Sequence, residues 1–134
     1  MKRPSATLRR MNREAIVISA AFFSSLVPGD PPKSFTLPWT LPANAVLLGY
    51  QIKGGYTFPA PTGAMTLQLA TPLQAPPSPL SLPNGNNVLA TGSLFTSTRT
   101  PKSVTVLASG DPPSGGSVTI DLIWEALTTT TVNA

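Results

Sequence analysis

Five carboxylates and nine lysine or arginine cations carry the formal charge of this 134-residue chain, which has no histidine and no cysteine. Imidazole and thiolate chemistry are thereby excluded, and with them disulfides and any metal site built on those ligands. Glu14, Asp30, Asp111, Asp121 and Glu125 remain for carboxylate chemistry. Asp121 and Glu125 fall on one face of a predicted strand, but the rise between them is about 13 Å, beyond the spacing of a retaining or an inverting carboxylate pair. Five acids scattered singly do not make a calcium loop. The many serines have neither a Gly-x-Ser-x-Gly elbow nor a histidine base. No catalytic residue, cofactor or metal is expected, and the chain reads as a non-enzymatic structural or binding protein.

The cations are concentrated at one end. Lys2, Arg3, Arg9, Arg10 and Arg13 stand in the first 13 residues with no acid among them, whereas the remaining cations and all five acids nearly cancel. The basic character of the protein therefore belongs to an N-terminal arm, residues 1–13, and not to the body, residues 14–134. With no apolar period, the arm would not fold alone. Fully extended it reaches roughly 45 Å at ~3.4 Å per residue, far enough to cross onto a neighbouring subunit. Lys2, Arg3, Arg9, Arg10 and Arg13 are accordingly the candidate partner-binding residues, for an acidic protein surface first and for nucleic-acid phosphates second. The apolar run Ala15–Phe23 behind these cations has the look of a secretory h-region, but Glu14 and the lack of a small-x-small cleavage site argue against that. It is too short to span a bilayer, so no membrane partner is expected.

The body is punctuated by 16 prolines and 10 glycines, and between them apolar residues recur with period two. Ile16 to Phe23 reads as a strand covered on both sides. Phe35, Leu37, Trp39 and Leu41 alternate with polar residues, and Pro38 inside that run places the strand at a sheet edge or breaks it there. Val46 to Ile52 follows and is expected to close at Lys53-Gly54-Gly55. Met65 to Leu69, Val88 to Phe95 and Val104 to Ala108 are further strands, and residues 72–87, with five prolines, are expected to be a stiff surface loop. Val118, Ile120, Leu122, Trp124 and Ala126 form the clearest alternation, and only Ile123 interrupts its polar side. No helix is expected beyond a turn or two at 5–13. About seven short strands predict an all-β, single-domain β-sandwich or jelly-roll-like fold with an extended N-terminal arm.

Three other features bear on function. Gly29-Asp30-Pro31-Pro32 and Gly110-Asp111-Pro112-Pro113 are identical and could mark a twinned site, but the tetrapeptide is good turn material and turns are the expectation. Pro76-Pro77-Ser78-Pro79 is a bare PxxP without a flanking arginine, which favours a rigid loop over an SH3 ligand. Most of the aromatic residues fall on apolar strand faces. Tyr56 and Phe58, just beyond the Lys53-Gly54-Gly55 turn, are the aromatics expected to be exposed.

The run Leu37-Pro38-Trp39-Thr40-Leu41-Pro42-Ala43-Asn44-Ala45-Val46-Leu47-Leu48-Gly49, the strand Gly63-Ala64-Met65-Thr66-Leu67-Gln68-Leu69, and Ser114-Gly115-Gly116-Ser117-Val118-Thr119-Ile120 before a final strand resemble small β-sandwich virion proteins of tailed bacteriophages. The likeness spans most of 34–127 and excludes the basic arm. It implies a head decoration or cement protein on the capsid surface, with the major capsid protein as partner and a homo-oligomer, a trimer, as the assembled form. Two other roles stay open: a tail or fibre component binding host glycans through exposed aromatics, and a coat protein whose arm contacts nucleic acid.

Overall fold

A computed structural model describes the backbone of residues 2–133 and the side chains of residues 11–126. Alternation of apolar and polar residues produces eight strands: β1 (Lys2–Ser19), β2 (Lys33–Leu41), β3 (Ala45–Thr57), β4 (Ala64–Thr71), β5 (Leu80–Pro83), β6 (Val88–Thr98), β7 (Lys102–Gly110) and β8 (Gly115–Asn133). Every pairing is antiparallel, and β1 pairs with β8, β2 with β7, β3 with β6 and β4 with β5. The chain is thus one long hairpin whose midpoint lies between β4 and β5. Rolled up, it forms two four-stranded sheets in the orders β1-β8-β3-β6 and β2-β7-β4-β5. That winding is a jelly roll, the double-sheet solution available to eight antiparallel strands.

The inward residues of the two sheets make one core. Ile16, Ile18, Ile52, Val118, Ile120 and Leu122 meet Leu37, Leu41, Met65, Leu67, Leu69, Leu82, Val104 and Val106. Pro38 does lie on an edge strand, and the β2–β7 register is irregular on either side of it, between Thr36 and Thr40. The proline cannot donate to a ladder, so the edge is where it is tolerated.

Four local expectations are corrected. Residues 20–23 leave the strand and form a 3-10 turn, Ala20–Phe23. Extended backbone would send Phe22 and Phe23 to opposite faces, whereas the turn packs both rings on Phe35, at centroid distances of 5.6 and 4.9 Å. Residues 72–87 are not all loop, because Leu82 is fully buried and Leu80–Pro83 pairs with β4 as a short edge strand. The segment 5–13 is strand, not helix: Ser5 to Arg10 pair with Thr131 to Ala126.

The fourth correction concerns Lys53-Gly54-Gly55, which does not end its strand; β3 continues through it to Thr57. A Cβ on Gly54 would lie 2.5 Å from the Ser117 carbonyl oxygen, and one on Gly55 2.1 Å from that of Asn86. The glycines therefore permit close backbone approach inside the fold and do not reverse the chain. Tyr56 consequently faces inward. The two Gly-Asp-Pro-Pro segments lie between strands, as turn chemistry requires. In the second, the Asp111 amide donates to the Ala64 carbonyl (2.9 Å) and its carboxylate accepts from the Ala64 amide (3.0 Å), fastening the turn to the start of β4.

Tyr56 is fully buried, stacks edge-on to Phe23 and donates its hydroxyl to the Ile18 carbonyl at 2.9 Å. Burial pushes its pKa well above the ordinary phenol value, because a phenolate there would lose its hydration. A raised folded-state pKa contributes stability that is complete below the unfolded value, about 10, and is lost as pH rises beyond it. Tyr56→Phe should cost about 1 kcal/mol at neutral pH through the lost hydrogen bond. It should also flatten the fall in stability above about pH 10, measured by urea unfolding across pH 7–11. Parallel wild-type and Y56F curves over that range would contradict this account.

Candidate interaction surface

The two outer faces of the sandwich differ in chemistry. Over β2-β7-β4-β5 the outward positions are mostly hydroxyl and amide side chains, among them Thr36, Thr40, Ser103, Thr105, Thr66, Gln68 and Ser81. They satisfy one another and the nearby loop: the Thr66 and Ser109 hydroxyls are 2.6 Å apart, and the Gln68 amide donates to the Pro77 carbonyl at 2.9 Å. Over β1-β8-β3-β6 the outward face is apolar at several points. Four of the five large hydrophobic side chains that are most exposed among the described residues stand on it: Phe95 (84 %), Leu89 (67 %), Val17 (66 %) and Met11 (65 %).

Register places these residues. Val17 is opposite Thr119, Thr119 opposite Lys53, and Lys53 opposite Leu89, so one row crosses all four strands. A second row runs Arg13, Ile123, Gly49, Ser93. Ile123, the residue that interrupts the polar side of β8, thus sits in the middle of this face. Thr119 and Lys53 stand between Val17 and Leu89 in the first row, so the exposed apolar side chains lie at the two margins of the face, Met11 and Val17 on β1 and Leu89 and Phe95 on β6. The signal for Leu89 and Phe95 was available in β6, where apolar residues occupy both parities (Val88, Ala90 and Leu94 as well as Leu89 and Phe95). Such a strand is covered on both sides or is meant to be.

Of the five arm cations, Arg13 has a described side chain. It stands on the same outward face and donates to an Asp121 oxygen at 2.7 Å. The arginine is 60 % exposed and the aspartate 14 %. The register sets Arg13 opposite Ile123 and Asp121 opposite Ala15, so the pair is a diagonal cross-strand contact. The other Asp121 oxygen is buried without a hydrogen-bond partner. Lys2, Arg9 and Arg10 are backbone partners of Asn133, Leu127 and Ala126, and Arg3 falls in the register irregularity between Lys2 and Ser5; the side chains of these four lie outside the described residues.

Strand β3 begins at Ala45, opposite Ala126, so residues 2–9 and 127–133 form a ribbon two strands wide. At about 3.3 Å per residue it reaches roughly 30 Å past the sandwich. β1 runs unbroken through residue 13, and the basic segment is the outer half of a sheet strand paired with the chain's own C-terminal strand.

Tyr56 and Phe58, expected to be exposed, are both buried. The physical reason is the continuation of β3 through Gly54 and Gly55, which turns Tyr56 into the core; the Phe58 amide is then held by the Asn84 side chain at 2.7 Å. A hollow of about 340 Å³ beside Phe58, lined also by Pro59, Thr62, Asp111 and Pro112, offers a carboxylate that already accepts from the Ala64 amide. Among the described residues no three acids are grouped as metal ligands.

Compared with solved structures, the chain is similar to a chain of the "Cyanophage Pam1 capsid asymmetric unit", with a TM-score of 0.59 and 15% identity over 88% of this chain and 86% of that one. It is also similar to a chain described under "Bacillus endospore appendages form a novel family of disulfide-linked pili" (TM-score 0.44, 12% identity, 90% of this chain and 92% of that one). A third similarity is to infectious bursal disease virus, Gx strain (TM-score 0.43, 11% identity, 93% of this chain and 33% of that one). The first establishes a common fold; the other two are too distant to add to it. No protein-family model and no curated protein matches the sequence.

Removing Arg13 would leave the mostly buried Asp121 carboxylate without its cation. Arg13→Ala should therefore destabilise by about 1 kcal/mol, the upper end of what an exposed pair contributes. Adding Asp121→Asn should recover part of that loss, a coupling readable by urea unfolding of the two single variants and the double variant.

Proposed function

We propose that this chain is a non-enzymatic virion structural protein of the head decoration or cement type, held on the capsid surface as a symmetric oligomer. One observation carries the reading: the whole jelly roll superposes nearly end to end on a chain of a cyanophage capsid asymmetric unit, each covering more than four-fifths of the other. The distribution of chemistry supports it. A face carrying Phe95, Leu89, Val17 and Met11 gives apolar contact area, and the basic ribbon gives reach. Repeated over a symmetric shell, contacts that are weak singly supply avidity.

The ribbon is the element assigned to the major capsid protein. A two-stranded ribbon is marginal in water by itself, so its outer half gains most from being laid on another subunit. A role in binding host glycans loses the two aromatics expected to serve it, since Tyr56 and Phe58 are core residues. A coat protein touching nucleic acid through the same ribbon predicts a different result in the test below.

Deleting residues 2–10 removes the strand that pairs only with the end of β8, while residues 11–19 keep their place in the sheet. The shortened protein should unfold at nearly the wild-type urea midpoint yet be lost from purified particles, as read by mass spectrometry of intact virions against the major capsid protein. Unchanged occupancy would overturn the assignment. Steeply salt-dependent binding of DNA or RNA by the isolated wild-type protein, abolished by the deletion, would move the ribbon's partner to nucleic acid.

A further inference from the structure

The two sheets present four open edges, β1, β6, β2 and β5. An open edge displays unpaired backbone donors and acceptors and will take up another strand unless something discourages it. Three edges carry such devices in their sequences. β1 holds five cations and Pro4, β2 has Lys33 and Pro38, and β5 is four residues long and ends in Pro83. β6 has neither charge nor proline: Val88–Thr98 is eleven residues long, its burial alternates without interruption along ten of them, and its one irregularity is a shift of register against β3 between Ser93 and Thr96. It also carries Phe95 and Leu89, two of the most exposed apolar side chains among the described residues.

We infer that β6 is a self-association edge, on which the β6 strand of a second copy pairs antiparallel about a two-fold axis at Gly92. An isologous contact sets each residue opposite one whose number is fixed by the axis. With Gly92 at the centre, Thr91 faces the partner's Ser93 and Leu89 faces the partner's Phe95, each relation occurring twice. All four residues alternate outward along β6. The register thus unites four large apolar side chains in two cross-strand pairs and places two hydroxyl pairs between them, and directly opposed Cβ atoms at ~5 Å allow both kinds of contact. On the inward side, half-buried Ala90 faces the partner's Leu94, which extends each core toward the other. A two-fold contact repeats like against like, so a charged edge repels its own copy; of the three long edges β6 is the one whose sequence avoids that, and uncharged β5 is four residues long. The product is a continuous eight-stranded sheet in the order β1-β8-β3-β6-β6-β3-β8-β1.

The inference stands apart from the virion reading, because it concerns the purified protein. Full-length protein at tens of micromolar should run as a dimer by light scattering coupled to size exclusion. Thr91→Lys with Ser93→Lys sets introduced lysines against each other across the axis and should give a monomer with unchanged circular dichroism. Thr91→Lys with Ser93→Glu sets opposite charges in those same places and should restore the dimer, which loss of folding or loss of hydroxyls could not do. A second readout uses the absence of native cysteine: Leu89→Cys with Phe95→Cys should yield a disulfide-linked dimer on mild oxidation. A wild-type monomer or trimer, a dimer indifferent to T91K/S93K, or failure of both T91K/S93E and the cysteine pair would overturn the inference.

Discussion

The pairing of the first strand with the last is the constraint on which the molecule depends. β8 lies between β1 and β3, so its inward residues Val118, Ile120 and Leu122 are covered from both sides within the sheet and by the opposite sheet across the core. The residues that meet there are far apart in sequence; Arg13 and Asp121 are separated by 108 positions. Closing such a loop costs chain entropy before any contact repays it. The order β1-β8-β3-β6 therefore makes every other feature conditional: the outward apolar face, the ribbon and the β6 edge all belong to the one sheet that both ends of the chain must complete.

That dependence changes how the basic segment can act. A loose cationic thread could reach about 45 Å in any direction, but a strand bonded along its length to β8 points where the sheet points. Reach is exchanged for direction. A neighbour that engages the ribbon meets backbone already ordered, so less conformational entropy is lost on binding than for a disordered tail. The Arg13–Asp121 pair sits near the root of this ribbon, on the side where the sheet is still four strands wide.

Much of this was legible in the residues. The alternation of Val118 to Ala126 placed the central strand, and Pro38 placed an edge, because both rest on local rules about side-chain parity and backbone donors. The misplacement at the end of β3 has a plain physical source. Glycine permits both chain reversal and close packing of backbones, and sequence does not say which; at Gly54 and Gly55 the neighbours Ser117 and Asn86, distant in the chain, decide it. Tyr56 and Phe58 were misplaced as a direct consequence. β5 was hidden for a similar reason, since a short proline-flanked segment becomes a strand only when β4 offers an edge and the core takes Leu82. The outward apolar face was half visible, as Ile123 broke the pattern of β8, but the row joining Val17 to Leu89 across four strands exists only in the sheet register.

Charge divides the surface into regions suited to different kinds of contact. A two-fold contact brings a surface onto itself, so any net charge in it is doubled and repulsive; such a contact has to be close to neutral or internally paired. Along the described outer face the condition is met at β6, which has no charge, and at Arg13, whose charge is matched by Asp121. The segment holding Lys2, Arg3, Arg9 and Arg10 does not meet it, for no acid lies among the first 13 residues. A two-fold contact through the sheet edge therefore carries no such penalty, whereas one through the basic segments would set cation against cation. The neutral edge β6 and the cationic strand β1 lie at opposite margins of the same sheet, so a contact suited to one does not draw on the residues of the other.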